Sequence, residues 1–184
     1  RIFTMAKCAT ITTFTIDLCS NSLGGVKNVY LADYAEGAAT YDKETGVVTA
    51  LSGSWLKIPI RKNTASYTST LNVSEESGNS VSTVLSLVFS KMETSKRMTM
   101  NALSLTDVMA VVEDANGQKV FLGIDNPVTL SAGTGETGTA KTDANRYTAE
   151  LTDDSMEFPP FLGDKLSWKA DTQDANKGTW EASA

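Results

Sequence analysis

Histidine is absent from the sequence. That removes Ser-His-Asp and Cys-His nucleophilic arrangements and every histidine-containing zinc site. Cysteine occurs twice, at Cys8 and Cys19, too few for a four-cysteine zinc site within one chain. If 9-ATITTFTIDL-18 is one extended strand, the two sulfurs lie about 35 Å apart and cannot bond to each other. They are read as reduced thiols of a protein made in the cytoplasm, with a single disulfide as the alternative. Long apolar runs are missing as well. None approaches the roughly 18 residues that span a bilayer, so no membrane anchor is expected. The first residues lack a signal-peptide layout: Ile2 and Phe3 are followed by Thr4 and Lys7. Positive charge is scarce, with 16 Lys and Arg against 22 Asp and Glu, a net charge of −6. Gripping nucleic acid depends on cations that neutralise phosphates, so this chain is a poor candidate for it. The same balance suits a surface that lets nucleic acid pass without sticking.

What is present is a β-rich pattern in 184 residues, enough for one domain, or one domain with arms. Phe14, Ile16 and Leu18 alternate with Thr13, Thr15 and Asp17, a strand signal. After the break 20-SNSLGG-25, the segment 26-VKNVYLADY-34 sets Val29 and Leu31 on one face and Tyr30 on the other. A turn-rich stretch covers 36–46. Short β segments follow at 47-VVTAL-51 and 55-WLKIPI-60, where Pro59 argues for an edge strand or a strand end. In 65-ASYTSTLNV-73, Tyr67, Leu71 and Val73 alternate with Thr68, Thr70 and Asn72. In 81-VSTVLSLVFSK-91, Val81, Thr83, Leu85, Leu87 and Phe89 oppose Ser82, Val84, Ser86, Val88 and Ser90. The polar linker 74-SEESGNS-80 joins them as the projecting loop of an antiparallel hairpin.

The spacing of Lys96, Met100, Leu103 and Asp107 predicts one helix over 93–108, capped by Thr94 or Ser95. The Asn-Gly turn in 108-VMAVVEDANGQKVFLG-123 is a strong hairpin signal. Further strands are expected at 127–133, at 145–152 and near Leu166 to Trp168. The sum is mainly β: an antiparallel β-sandwich or barrel with one flanking α-helix. Residues 1–23 are read as an N-terminal arm, 24–162 as the β-sandwich, and 163–184 as a C-terminal extension.

Chemical motifs are few. Gly133-Thr134-Gly135-Glu136-Thr137-Gly138 spells the G-x-G-x-x-G of dinucleotide loops. That loop works by opening a helix whose N-terminus receives pyrophosphate, and here a Thr-rich, strand-like segment follows. A Gly/Thr-rich hairpin tip or strand edge, with the glycines supplying bends or positive φ, is the better reading, and no cofactor is expected. The turn at Glu113 to Gly117 lacks the first and last ligands of a calcium loop, so no metal is expected either. Glu75-Glu76 and Asp153-Asp154 are adjacent acids; on a strand such neighbours face opposite ways, and in loops they are solvated. Ser54-Trp55-Leu56-Lys57 has a Ser-x-x-Lys spacing but sits on a strand, where the two do not meet. The basic clusters Lys57 to Lys62 and Lys91 to Arg97 fit a solvated face or an inter-subunit salt-bridge partner better than a nucleic-acid site. No catalytic residue is nominated, and no enzyme is expected.

The order of these features resembles the tail tube (major tail) proteins of tailed bacteriophages. The residues that carry the resemblance are the pair 65-ASYTSTLNVSEESGNSVSTVLSLVFSK-91, the helix after it, the hairpin 108–123, the Gly-rich strand and 143-DANRYTAELTDDSMEFPPFL-162. The start, Cys8…Cys19 with 24-GGVKNVYLADY-34, resembles virion structural proteins of phages that infect Bacteroidetes. The resemblance covers residues 8–162 and rests on element order, without a diagnostic motif.

It implies a virion structural protein that self-assembles into hexameric rings, stacked as the tail tube around a tape-measure protein and then transiting double-stranded DNA. Sheath and terminator proteins would be further partners, and the site would be the virion tail after synthesis in the host bacterial cytoplasm. Mapped onto this chain, Ser82, Ser86, Ser90, Glu75 and Glu76 would face the lumen or the next ring. Phe14, Ile16 and Leu18 would belong to an assembly arm. Residues 163–184 have no counterpart in the resemblance. Two alternatives stay open: another virion part (a head–tail connector, decoration or fibre-associated protein), or a secreted or surface β-sandwich that binds glycans or proteins. The dispersal of Trp55, Trp168 and Trp180 in sequence counts weakly against a glycan binder.

Overall fold

The computed structural model describes residues 22–74 and 78–182. Cys8, Cys19, Phe14, Ile16, Leu18, Glu75 and Glu76 therefore lie outside the described residues. In chain order the elements are β1 (Val26–Asp33), β2 (Ala39–Asp42), β3 (Val47–Leu51), β4 (Trp55–Ile58), β5 (Ala65–Ser74), β6 (Gly78–Ser90), α1 (Thr94–Leu103), β7 (Val108–Asp114), β8 (Lys119–Leu122), β9 (Thr129–Glu136), β10 (Arg146–Ser155), β11 (Phe161–Leu162), β12 (Leu166–Ala170) and β13 (Lys177–Ala182).

The strands form two sheets. A nine-stranded sheet runs β12-β13-β4-β1-β7-β8-β11-β3-β2, and a four-stranded sheet runs β5-β6-β10-β9. Every strand pair but one is antiparallel, β11 pairing with β3 in parallel, and the expected sandwich with one flanking helix is the fold found. Strict alternation makes it so: on β6, Val81, Thr83, Leu85, Leu87 and Phe89 are buried while every residue between them is half-exposed. Of these, Leu85, Leu87 and Phe89 meet Val29 and Leu31 of β1, Ala110 and Val112 of β7, and Val120 and Leu122 of β8 in the first core.

The large sheet has a second core on its other face. Tyr30, Met109, Val111 and Phe121 point away from the small sheet and meet Val48, Leu51, Trp55, Leu162, Leu166 and Trp180. So β1, β7 and β8 are buried on both faces, which is why 108-VMAVVED-114 reads as a nearly unbroken apolar run. The covering side chains come from the two ends of the same sheet. It curls until β13 lies against β3, a near-closure that leaves only short edge strands.

Several elements depart from expectation. The helix is shorter, Thr94–Leu103, with Glu93 at its N-cap and no side-chain cap bond. Thr94 and Ser95 lie inside it. Glu93 instead pairs with Lys91 and Lys96. Asp107 lies beyond the helix, and its carbonyl accepts the amide of Tyr34. The stretch 36–46 contains β2, which pairs with β3 around a turn whose Glu44 amide and Thr45 hydroxyl are held by Asp42. Pro59 marks a strand end: β4 stops at Ile58 and sits between β1 and β13. Finally, β13, which alternation did not reveal, brings Trp180 into the second core.

Candidate assembly surface

The small sheet is built from two hairpins. β5 and β6 pair in register from Ala65↔Leu87 to Ser74↔Gly78, and β6 then pairs with β10 from Arg146↔Ser90 to Ser155↔Val81. β9 closes the order on β10. Among the described residues, no strand pairs with the outer edge of β5 or of β9. These edges are long, 10 and 8 residues, and neither contains lysine or proline. Natural edge strands are usually blunted by such residues or kept short, because open N–H and C=O groups recruit another chain. The large sheet, by contrast, ends on strands of 4 and 5 residues.

The outer face of the small sheet is a hydroxyl surface. Registry brings Ser66 beside Ser86, Thr68 beside Val84 and Thr70 beside Ser82, with Thr148 against Val88 and Thr134 on the far side. Ser82, Ser86 and Ser90 share this half-exposed face. The four strands carry no lysine. Their outward charges are Glu136, Glu150, Asp154 and one cation, Arg146, which Glu136 holds in an ion pair. The face is therefore short of the positive charge that would hold a polyanion.

Beyond Val81 the β5–β6 ribbon leaves the body. Residues 71–74 and 78–80 are all exposed, with Leu71 at 44% and Val73 at 73%. Both continue the core-facing row of Tyr67 and Ser69 past the cover of the large sheet. A two-stranded ribbon showing apolar side chains to water is marginal alone.

The glycine motif has a packing role. Gly133 and Gly135 lie within β9, opposite Ala149 and Tyr147. A Cβ on Gly133 would sit 3.0 Å from the Met100 methyl of α1, and one on Gly135 would sit 2.8 Å from the Tyr147 ring. The absent side chains make room for the helix on the sheet. Gly138 has φ +67 and turns the chain where Asp143 accepts the amides of Thr139 and Ala140, each at 2.7 Å. No helix follows it to receive a pyrophosphate.

Other chemical candidates resolve as structure. Asp153 and Asp154 face opposite ways: Asp153 is 1% exposed, whereas Asp154 is on the outer face. One Asp153 oxygen accepts the Gly123 amide at 3.3 Å, and the other has no partner among the described residues. Burial, with Asp125 and Asp154 nearby, pushes its carboxyl up to about 6, against the lowering effect of the Gly123 bond. Glu113 is the contrasting case. Burial pushes it up, but hydrogen bonds from Asn28 (2.7 Å) and Lys27 (3.1 Å) outweigh that, so it titrates below its ordinary range. Beside it, burial and Glu113 raise the Tyr30 hydroxyl to about 12.

The fold also gathers aromatics that are dispersed in sequence. Tyr30 lies 4.7 Å from Trp168 and 5.0 Å from Trp180, ring centre to ring centre. Tyr30 and Trp180 are buried and Trp168 is half-buried against them, so the cluster is mostly part of the second core. Among the described residues no group of acids or cysteines is placed to hold a metal ion. Among the described residues no helix is long and apolar enough to cross a membrane. No family of known proteins, no curated protein and no solved structure matches the chain.

Proposed function

We propose that this protein is a self-assembling structural subunit of the phage tail-tube kind. Its small sheets join edge to edge into a ring, and the hydroxyl face lines the lumen. One observation carries the reading: among the described residues, the sheet ends on two long edges that no strand covers and that run in opposite directions. In the order β5-β6-β10-β9 every neighbour is antiparallel. When copies are related by rotation, β9 of one therefore meets β5 of the next in antiparallel sense. Such a heterologous contact closes into a ring when the rotation divides a circle. Six copies would give about 24 strands and, at ~4.8 Å spacing and ~40° tilt, a barrel about 50 Å across. Its wall would be serine and threonine with an acidic excess, over which double-stranded DNA slides without being trapped.

The test is negative-stain electron microscopy of the purified chain across a concentration and salt series. Rings and hollow filaments are expected. A chain that stays monomeric at the highest concentrations sinks the proposal.

A further inference from the structure

The fold brings together the two basic clusters that are separate in sequence and leaves a groove between them. β4 stops at Ile58, because Pro59 has no amide to continue the ladder. β6 stops at Ser90, where Lys91 takes φ +67 and turns the chain toward α1. Asn145 fixes that turn. Its backbone carbonyl accepts the Lys91 amide at 2.7 Å, and its side chain accepts the Met92 amide at 2.9 Å. Lys96 reaches back from the helix to the carbonyls of Ser90 and Lys91, at 2.5 and 3.1 Å. The space bounded by the two strand ends and the helix is about 540 Å³, the size of a small-ligand site.

The lining is apolar on one side and cationic on the other. Leu56, Ile58, Pro59, Val88 and Phe89 form the wall, with Leu56 and Pro59 exposed. No carboxylate lines the groove, whereas Arg61, Lys91 and Lys96 do. Glu93 beside it offsets part of that charge, pairing with Lys91 at 2.6 Å and Lys96 at 3.6 Å. Lys57 also lines the groove but holds its ammonium 5.9 Å from the centre of the Tyr30 ring. Arg61 is exposed, and among the described residues no carboxylate pairs with it. An unpaired guanidinium beside an aliphatic wall, in a chain of net charge −6, suits a ligand with an anionic head and an apolar tail.

We propose that this groove binds a small amphiphile of the fatty-carboxylate class, with an anionic head and an aliphatic tail. The tail lies along Leu56, Ile58 and Val88. The head accepts hydrogen bonds from the Arg61 guanidinium, and Lys91 and Lys96 add to the local positive charge. The wall favours an aliphatic tail over a flat aromatic one, because its one ring, Phe89, is only 9% exposed and offers little face for stacking. Single-stranded nucleic acid fits less well for the same reason, since it is held by bases stacked on exposed rings. The site needs one copy of the chain only. It depends neither on ring closure nor on the open edges of the small sheet.

The test is calorimetric titration of the full chain with sodium decanoate, below the concentration at which it forms micelles, with amide NMR shifts to place it. Saturable binding of one decanoate per chain is expected, with shifts at Leu56, Ile58, Val88, Ser95 and Thr99. Decyltrimethylammonium has the same tail and the opposite charge, and acetate has the head without the tail. Each should bind about tenfold or more weakly. Arg61→Glu should weaken decanoate by about tenfold or more, the weight of one charge-assisted hydrogen bond. It should leave the binding of uncharged decanol unchanged. Ser95→Trp, which fills the groove from α1, should block decanoate and decanol alike. Equal binding of decanoate and the ammonium overturns the proposal, since the groove would then be apolar without choosing charge. Binding untouched by both substitutions, or shifts confined to other residues, overturns it too. So does an acidic peptide or double-stranded DNA that shifts these amides when decanoate shifts none, since the occupant would then be a macromolecule. Rings and hollow filaments without decanoate binding would remove the groove site and leave the assembly reading standing; decanoate binding by a strict monomer would do the reverse.

Discussion

The two sheets of this protein treat their edges in opposite ways. The nine-stranded sheet curls until β13 approaches β3, covers its own second face with Trp55, Trp180 and Leu51, and ends on strands of 4 and 5 residues. The four-stranded sheet covers one face only and ends on strands of 10 and 8 residues without lysine or proline. One sheet has used its surface to stabilise a single copy. The other has kept edges and one face available. Under the proposed function this is a division of labour: the curled sheet would supply stability and the four-stranded sheet association.

That division predicts where substitutions act. The largest effect on stability should follow Trp55→Ala. Trp55 is 1% exposed and packs edge-on to Phe121 at 6.4 Å. Removing it should cost about 3–5 kcal/mol, read as a lower urea midpoint. A loss under 1 kcal/mol would mean the second core does little.

The next effect is a gain. Asp153 has a folded pKa of about 6 against 3.8 for the free group. The folded value is the higher one, so its stabilising contribution is full below 3.8 and is lost as pH rises through about 6. The difference corresponds to about 3 kcal/mol between the two ends of that window. Asp153→Asn should therefore raise the urea midpoint at pH 7.5 and leave it little changed at pH 3.5. Equal effects at both values would show that the buried charge is not the cause.

Gly178→Ala comes third. Its Cβ would stand 2.2 Å from the Lys169 carbonyl oxygen and 2.7 Å from the Trp168 ring. Backbone must move, at a cost of about 1–3 kcal/mol in thermal or urea unfolding.

How much of this was legible in the sequence varies by element for physical reasons. The β5–β6 and β7–β8 hairpins were legible because one face of a strand repeats every second residue, and because Asn116-Gly117 is a turn sequence. Gly117 indeed has φ +89, and Asp114 accepts the amides of Asn116 and Gln118. The face shared by Ser82, Ser86 and Ser90 was readable for the same reason. β13 was not, because 177-KGTWEA-182 buries only Gly178 and Trp180, too few for alternation to show. The helix end was misplaced because Asp107 fits helical spacing although the chain has already turned toward β7 at Val108. The groove was invisible for a different reason: Lys57 to Lys62 and Lys91 to Arg97 are neighbours only through the pairing of sheets and helix, which no local pattern encodes.

The smallest stability effect should come from blocking the open edges. Thr68→Lys with Ser131→Lys places cations on two exposed positions of β5 and β9. Unfolding should shift by no more than about 0.5 kcal/mol, while sedimentation should show assembly lost. A variant that assembles normally would place the contact elsewhere.

The most direct test of the central claim is amide hydrogen exchange on dilute and on concentrated, assembled protein. Edge-to-edge joining predicts that outward-pointing amides of β5 and β9 gain protection on assembly, while those of β2 and β12 do not change. Assembly that protects β2 or β12 and leaves β5 and β9 exchanging as in the dilute chain would contradict it.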